Sequence, residues 1–138
     1  MNWKLIFQLS LFALVMAFAT VFLIPPNVEP AFWLPIFLLC AYVIAKRVPA
    51  GRFVHGVALG LVNCVWITSA HIYFYDRYVY GHPQEAALLV SMPTHHHRTV
   101  MAIMGTMVGL VSGAVIGILA LVAGKLVKAP AVPNKSAA

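Results

Sequence analysis

Hydrophobic positions fall into four long runs separated by short polar stretches. The first, "LIFQLSLFALVMAFATVFLI", covers 5–24 and is closed by "PPNVEP", where Pro25 and Pro26 cannot continue a helix. The second, "AFWLPIFLLCAYVIA", covers 31–45, with Pro35 expected in or near the first turn, where it does least damage. The third runs over 53–75 and the fourth over 99–127. Roughly 20 apolar residues in helical form cross a hydrocarbon core of about 30 Å. The pattern therefore predicts four transmembrane helices. Segment one also carries features of a signal peptide, namely Lys4 ahead of it and "AFA" at 17–19. Its apolar run continues past Ala19, which favours a retained helix.

Between the third and fourth runs, "HPQEAALLVSM" reads as a short helix over 83–92. Pro83 suits its first position, Glu85 favours the positive N-terminal end, and Pro93 stops it. It is too short to span, so an interfacial placement follows. The fold class expected is an all-α, polytopic four-helix bundle forming one membrane domain over 1–128. A proline-rich cytoplasmic tail, 129–138, is expected to be disordered.

Composition strengthens the membrane reading. The chain is 62% hydrophobic and 9% charged, with a mean hydropathy of +0.92. Soluble domains average about 25% charged residues. Charge placement then sets an orientation. Lys4, Lys46, Arg47, Arg52, Lys125, Lys128 and Lys135 fall on the side of the termini. Arg77 and Arg98 fall on the other, with all three acidic residues, Glu29, Asp76 and Glu85. This positive-inside asymmetry puts both termini in the cytoplasm, and a bacterial inner (plasma) membrane is the expected location. Trp3, Trp33 and the tyrosines of "YFYDRYVY" (73–80) suit membrane interfaces. The net charge of +6 is spread over helix flanks with no contiguous basic face, which argues against nucleic acid. Cys40 and Cys64 lie inside apolar runs and form no CxxC pair.

Small residues recur every fourth position on two runs, in the manner of a glycine zipper. Segment four carries Gly105, Gly109, Gly113 and Gly117; segment three carries Gly56, Gly60, Cys64 and Thr68. Without a hydrophobic drive between helices in lipid, close backbone approach over small residues is a main source of association. In an antiparallel hairpin, contacting residues keep a constant index sum. Pairing Gly56 with Gly117 also pairs Gly60 with Gly113, Cys64 with Gly109 and Thr68 with Gly105. The same rows could instead pack between subunits.

Candidate chemistry gathers on the outward side as a histidine cluster: His71, His82, Glu85, His95, His96 and His97, with Asp76 nearby. Imidazole and carboxylate suit zinc or copper, and Met101, Met104 and Cys64 are possible soft ligands for copper(I). His82 and Glu85, three apart, can share a helix face. Three adjacent helical histidines point ~100° apart and cannot all reach one ion, so the triplet also reads as polar punctuation before a span that Thr94 caps. His71 is more informative, because an ionisable group inside a span is a functional hypothesis by default. His71 with His97 could also ligate haem b, although a tight glycine seam would leave little room between the helices. His55 reads as an interfacial residue without a partner.

No GxSxG, HExxH or phosphate-cradling loop appears, and the spans lack a buried Asp, Glu, Lys or Arg of the kind an ion relay needs. The function expected is a small non-enzymatic integral membrane protein in the lipid bilayer, either a homo-oligomer or an accessory subunit among other membrane subunits. A metal-handling protein and a haem or quinone redox subunit are the alternatives.

Overall fold

A computed structural model describes residues 1–93 and 96–127. His95, the Thr94 cap, Lys128, Lys135 and the expected tail lie outside the described residues. The described chain is helical, with six helices: α1 (Trp3–Phe22), α2 (Glu29–Arg47), α3 (Arg52–Tyr73), α4 (Tyr75–Gly81), α5 (Pro83–Ser91) and α6 (His97–Leu126). Four of these, α1, α2, α3 and α6, are long and apolar enough to cross a membrane.

Local chemistry sets most of the boundaries. Asn2 caps α1, its side-chain oxygen accepting from the Leu5 amide at 3.1 Å. Glu29 and Pro30 open α2, the carboxylate near the positive end of the helix and the proline where no amide donor is required. The helix thus begins two residues before the apolar run. Pro35 consequently sits within the helix rather than in its first turn, leaving the Ala31 carbonyl without its usual donor. Gly51 precedes α3 with φ of 73°, a left-handed conformation that a side chain would strain.

The third apolar run does not continue as one helix to residue 75. It breaks at Phe74, and the two-turn helix α4 follows at once. Phe74 has φ of −97° and ψ of 36°. Its ring packs edge-on against Phe18 at 6.1 Å and Phe22 at 5.1 Å, both on α1. Ring packing onto α1 holds the chain at this corner, and Tyr75 leaves the helix face that carries His71.

α3 lies between α1 and α6, and α2 packs mainly on α6. On α1, the buried face is Ser10, Ala13, Ala17 and Thr20, each at most 2% exposed. Ser10 Oγ donates to the Phe7 carbonyl and accepts from Trp66 Nε1 of α3 at 3.2 Å. Leu59 of α3 and Ile116 and Ala120 of α6 are fully enclosed, and Leu5, Ile6, Cys40, Ala41 and Ile44 close the same core.

Along the α3/α6 contact the backbones themselves touch. A Cβ at Gly56 would fall on the backbone of Gly117, and one at Gly60 on the backbone of Gly109 and Gly113. At Gly109 it would lie 2.5 Å from Cys64 Cβ, and at Gly105 it would strike the Thr68 hydroxyl. The structure thus brings the two small-residue rows together within one chain. Cys64 Sγ and Thr68 Oγ1 stand 3.6 Å apart on this seam. The outward faces remain apolar, as with Val15 and Phe18 of α1, Leu34 and Leu38 of α2, and Val108 and Val111 of α6.

Candidate functional site

The break at Phe74 folds α4 back so that Tyr78 reaches His71, and α5 begins directly below. The result is a stack of three rings. The His71 imidazole lies on the Tyr78 ring at 4.0 Å, and Tyr78 lies on His82 at 4.1 Å, each pair inclined by 21°. Tyr78 is thus sandwiched between two imidazoles from different parts of the chain.

Each histidine is fixed by a further bond. Thr20 Oγ1 stands 3.0 Å from His71 Nε2, and the same hydroxyl is 3.0 Å from the Met16 carbonyl. With the hydroxyl proton on that carbonyl, His71 must supply its own N–H to Thr20. His82 Nδ1 is 3.0 Å from the Tyr78 carbonyl, which can only accept, so this nitrogen carries a proton. The opposite nitrogen, Nε2, faces Glu29 Oε2 at 3.9 Å. That is too long for a hydrogen bond. Glu29 is steadied by its other oxygen, Oε1, which accepts from Trp33 Nε1 at 2.8 Å.

His82 is 1% exposed, and its Nε2 has no hydrogen-bond partner. Glu85 Oε2, in the first turn of α5, is likewise buried and unpartnered. Buried polar atoms are rarely left unsatisfied, so two at one end of a small bundle are informative. Burial raises the Tyr78 phenol above its usual ionisation range, and the carboxylates of Glu85 and Glu29 push it further. The stack therefore sits in a negative field made by two carboxylates and keeps its phenol protonated.

The sequence-derived site residues divide into separate groups. His71, His82 and Glu85 are associated through Tyr78 and Glu29, neither of which the sequence singled out. His97 lies elsewhere, its Nδ1 3.4 Å from the Tyr75 hydroxyl, beside Arg98 stacked over the Tyr75 ring. His96 is the residue before α6, its carbonyl accepting from the Thr99 amide. His95 lies outside the described residues. Met104 is 44% exposed on the outer face of α6, and Cys64 belongs to the helix seam. Among the described residues, no three His, Cys, Asp or Glu side chains are grouped so as to hold a metal ion. For haem, both proposed ligands already meet protein hydroxyls, His71 at Thr20 and His97 at Tyr75.

His55 is not an isolated interfacial residue. It is buried at the opposite end of the bundle, where Nε2 accepts from the Asn2 amide at 2.9 Å and Nδ1 donates to the Gly51 carbonyl at 2.8 Å. It ties the starts of α1 and α3 together. The sequence offered a hint for Tyr78 and His82 in their i, i+4 spacing, and none for Glu29, which lies more than fifty residues away. No known protein family, curated protein or solved structure matches the chain.

Proposed function

We propose that this chain is a small integral membrane protein, a four-span bundle with both termini cytoplasmic, acting as a non-enzymatic component of a larger membrane assembly. The observation that carries the reading is the outward face of α2. This helix docks through Cys40, Ala41, Ile44 and Ala45. It leaves Phe32, Leu34, Leu38, Leu39 and Tyr42 between 43% and 61% exposed. Such a face requires lipid or another membrane helix against it. Because the glycine rows are used within the chain, self-association or a partner subunit would use the outer apolar faces of α1, α2 and α6.

Two measurements test this. Alkaline carbonate extraction of membranes should leave the protein in the pellet, and release into the supernatant would sink the membrane reading. Mass measured in mild detergent should exceed that of the 15.0 kDa chain, or a second polypeptide should co-purify. A lone monomer under conditions that preserve other membrane complexes would rule out the assembly role.

A second reading has one specific observation behind it, the buried and unpartnered Nε2 of His82. A histidine with Nδ1–H bound to a backbone carbonyl presents Nε2 as a lone pair, which is the usual arrangement of a metal-ligating imidazole. Glu29 Oε2 lies 3.9 Å from that nitrogen, and an imidazole with a carboxylate suits zinc better than a thiophilic ion, the remaining ligands coming from water or a partner. Elemental analysis of protein purified without nickel resin or chelator provides the test. Stoichiometric zinc that falls with His82→Ala supports the reading, and metal-free wild-type protein ends it.

A further inference from the structure

Opposite the ring stack, the start of α1, the end of α2, the start of α3 and the end of α6 meet at a strongly basic end. Lys4, Lys46, Arg47, Arg52 and Lys125 all belong to it, and the only three acidic side chains of the protein lie at the other end of the bundle or in its connection. Among the described residues, no lysine or arginine pairs with a carboxylate. Arg52 is partly occupied, its Nε donating to the Val48 carbonyl at 3.0 Å while its guanidinium covers Gly124. Lys4, Lys46, Arg47 and Lys125 are exposed.

Two of these cations, Lys46 and Arg47, line a concave surface. An open groove of about 530 Å³ lies along the end of α2, beside the residue that caps α1, lined by Asn2, Tyr42, Val43, Lys46 and Arg47. A second, of about 320 Å³, adjoins it and shares Asn2 and Arg47. The first has a polar, positive rim and an apolar floor. Lys46 lies over the face of the Tyr42 ring, its ammonium 5.8 Å from the centroid. Directly along α2 from Tyr42, the exposed side chains of Leu39 and Leu38 continue the apolar surface away from the charges. Positive charge at one end of an apolar track is complementary to a molecule with an anionic head and hydrocarbon tails.

We propose that the groove at the end of α2, beside Asn2, binds an anionic phospholipid, its headgroup phosphate held by Lys46 and Arg47 and its acyl chains lying along α2. The inference rests on the membrane reading above and adds a ligand and a site to it. Arg47 is suited to grip phosphate oxygens through its planar fork, while Lys46 contributes a point charge. A zwitterionic headgroup would bring its own cation into a cluster already lacking anions, so a net-negative lipid is selected. The polybasic edge of a membrane protein attracts anionic lipid in general. What distinguishes this site is the groove, which confines two of the five cations around one volume.

The test uses full-length protein in nanodiscs. Insertion into discs of pure phosphatidylcholine comes first, because failure there would remove the membrane reading itself. In mixed discs of phosphatidylcholine and phosphatidylglycerol, native mass spectrometry should then find phosphatidylglycerol retained on the wild-type chain. Lys46→Gln with Arg47→Gln should weaken that retention by roughly 25-fold, about fivefold for each cation removed. Both side chains are exposed, so the double variant should fold, and unchanged circular dichroism verifies this. Arg77→Gln with Arg98→Gln, at the other end, should retain lipid as the wild type does. Equal retention by both double variants, or no preference over phosphatidylcholine, overturns the proposal. Displacement by soluble glycerophosphate at comparable concentration would assign the site to a free phosphate compound and overturn the lipid assignment.

Discussion

Gly60→Leu is expected to destroy the packing of α3 on α6, with a loss of stability of at least about 3 kcal/mol. The cause is backbone contact. Even a single Cβ at Gly60 would overlap the Gly109 carbonyl and the main chain of Gly113, where no flexible side chain can move aside. Relief requires separating two helices along their whole contact, which also exposes Leu59 and Ile116, both fully buried. Gly113→Leu should be as damaging, since its Cβ would come within 2.9 Å of Val57 Cα. Gly81→Ala is the matched control. Nothing lies within 4 Å of a Cβ there, and Gly81 ends α4 without a positive φ, so its effect should stay within about 0.5 kcal/mol. Reversible unfolding in mixed micelles, followed by circular dichroism, measures all three. A fully folded Gly60→Leu protein of wild-type stability would mean that α3 and α6 do not meet on this seam.

The second large effect is expected at Tyr78. Tyr78→Ala removes the middle of the three-ring stack and should cost about 2–3 kcal/mol, because both imidazoles lose their packing surface together. Tyr78→Phe keeps both ring contacts and should cost less than about 1 kcal/mol near neutral pH. The two variants also separate at high pH. The folded protein holds the phenol protonated above its ordinary value of 10.0, through burial first and the Glu85 and Glu29 carboxylates second. That contribution to stability is intact below pH 10, where the unfolded phenol is still protonated. It is lost progressively above pH 10, as the unfolded chain gives up a proton that the folded chain retains. Wild-type stability should therefore fall more steeply than that of Tyr78→Phe above pH 10. Parallel curves for the two proteins would show that Tyr78 is not held in a buried, negative site.

The pH effect and the stack share one structural origin, the corner at Phe74. Without it, α3 would carry its helix on to Tyr75, and neither Tyr78 nor His82 would return to His71. The corner also explains why the sequence-derived site was incomplete. His71, His82 and Glu85 are recognisable as outward ionisable groups, but their common neighbours are Tyr78, which reads as an interfacial aromatic, and Glu29, which reads as a helix-opening acid. Glu29 enters through a different loop, and only the docking of α2 sets it 3.9 Å from His82. The histidine triplet was conspicuous by composition, yet His97 is drawn to Tyr75 rather than to His71.

Small residues show the same division on a larger scale. The period-four row on the fourth run stands out because glycine is costly within a helix, about 1 kcal/mol relative to alanine. Ser10, Ala13, Ala17 and Thr20 form an equally buried row on α1, but serine, alanine and threonine are ordinary in an apolar helix and carry no such signal. The role of His55 is hidden in the sequence for a related reason. Its partners are backbone groups of Asn2 and Gly51, and a backbone amide or carbonyl leaves no signature in residue type.

By itself the sequence determined that there are four long apolar helices and that basic and acidic residues separate along the chain. Those follow from continuous apolar runs, proline stops and local caps, all of which act over a few residues. Tertiary structure alone decided the extra turn of chain at 75–81, the stacking of His71, Tyr78 and His82, and the approach of Glu29. Those depend on Phe74 packing against Phe18 and Phe22 across some fifty residues, and on contacts between helices whose chemistry is carried by shape. Periodicity records which way a side chain faces along its own helix; it holds no record of which distant ring it will meet.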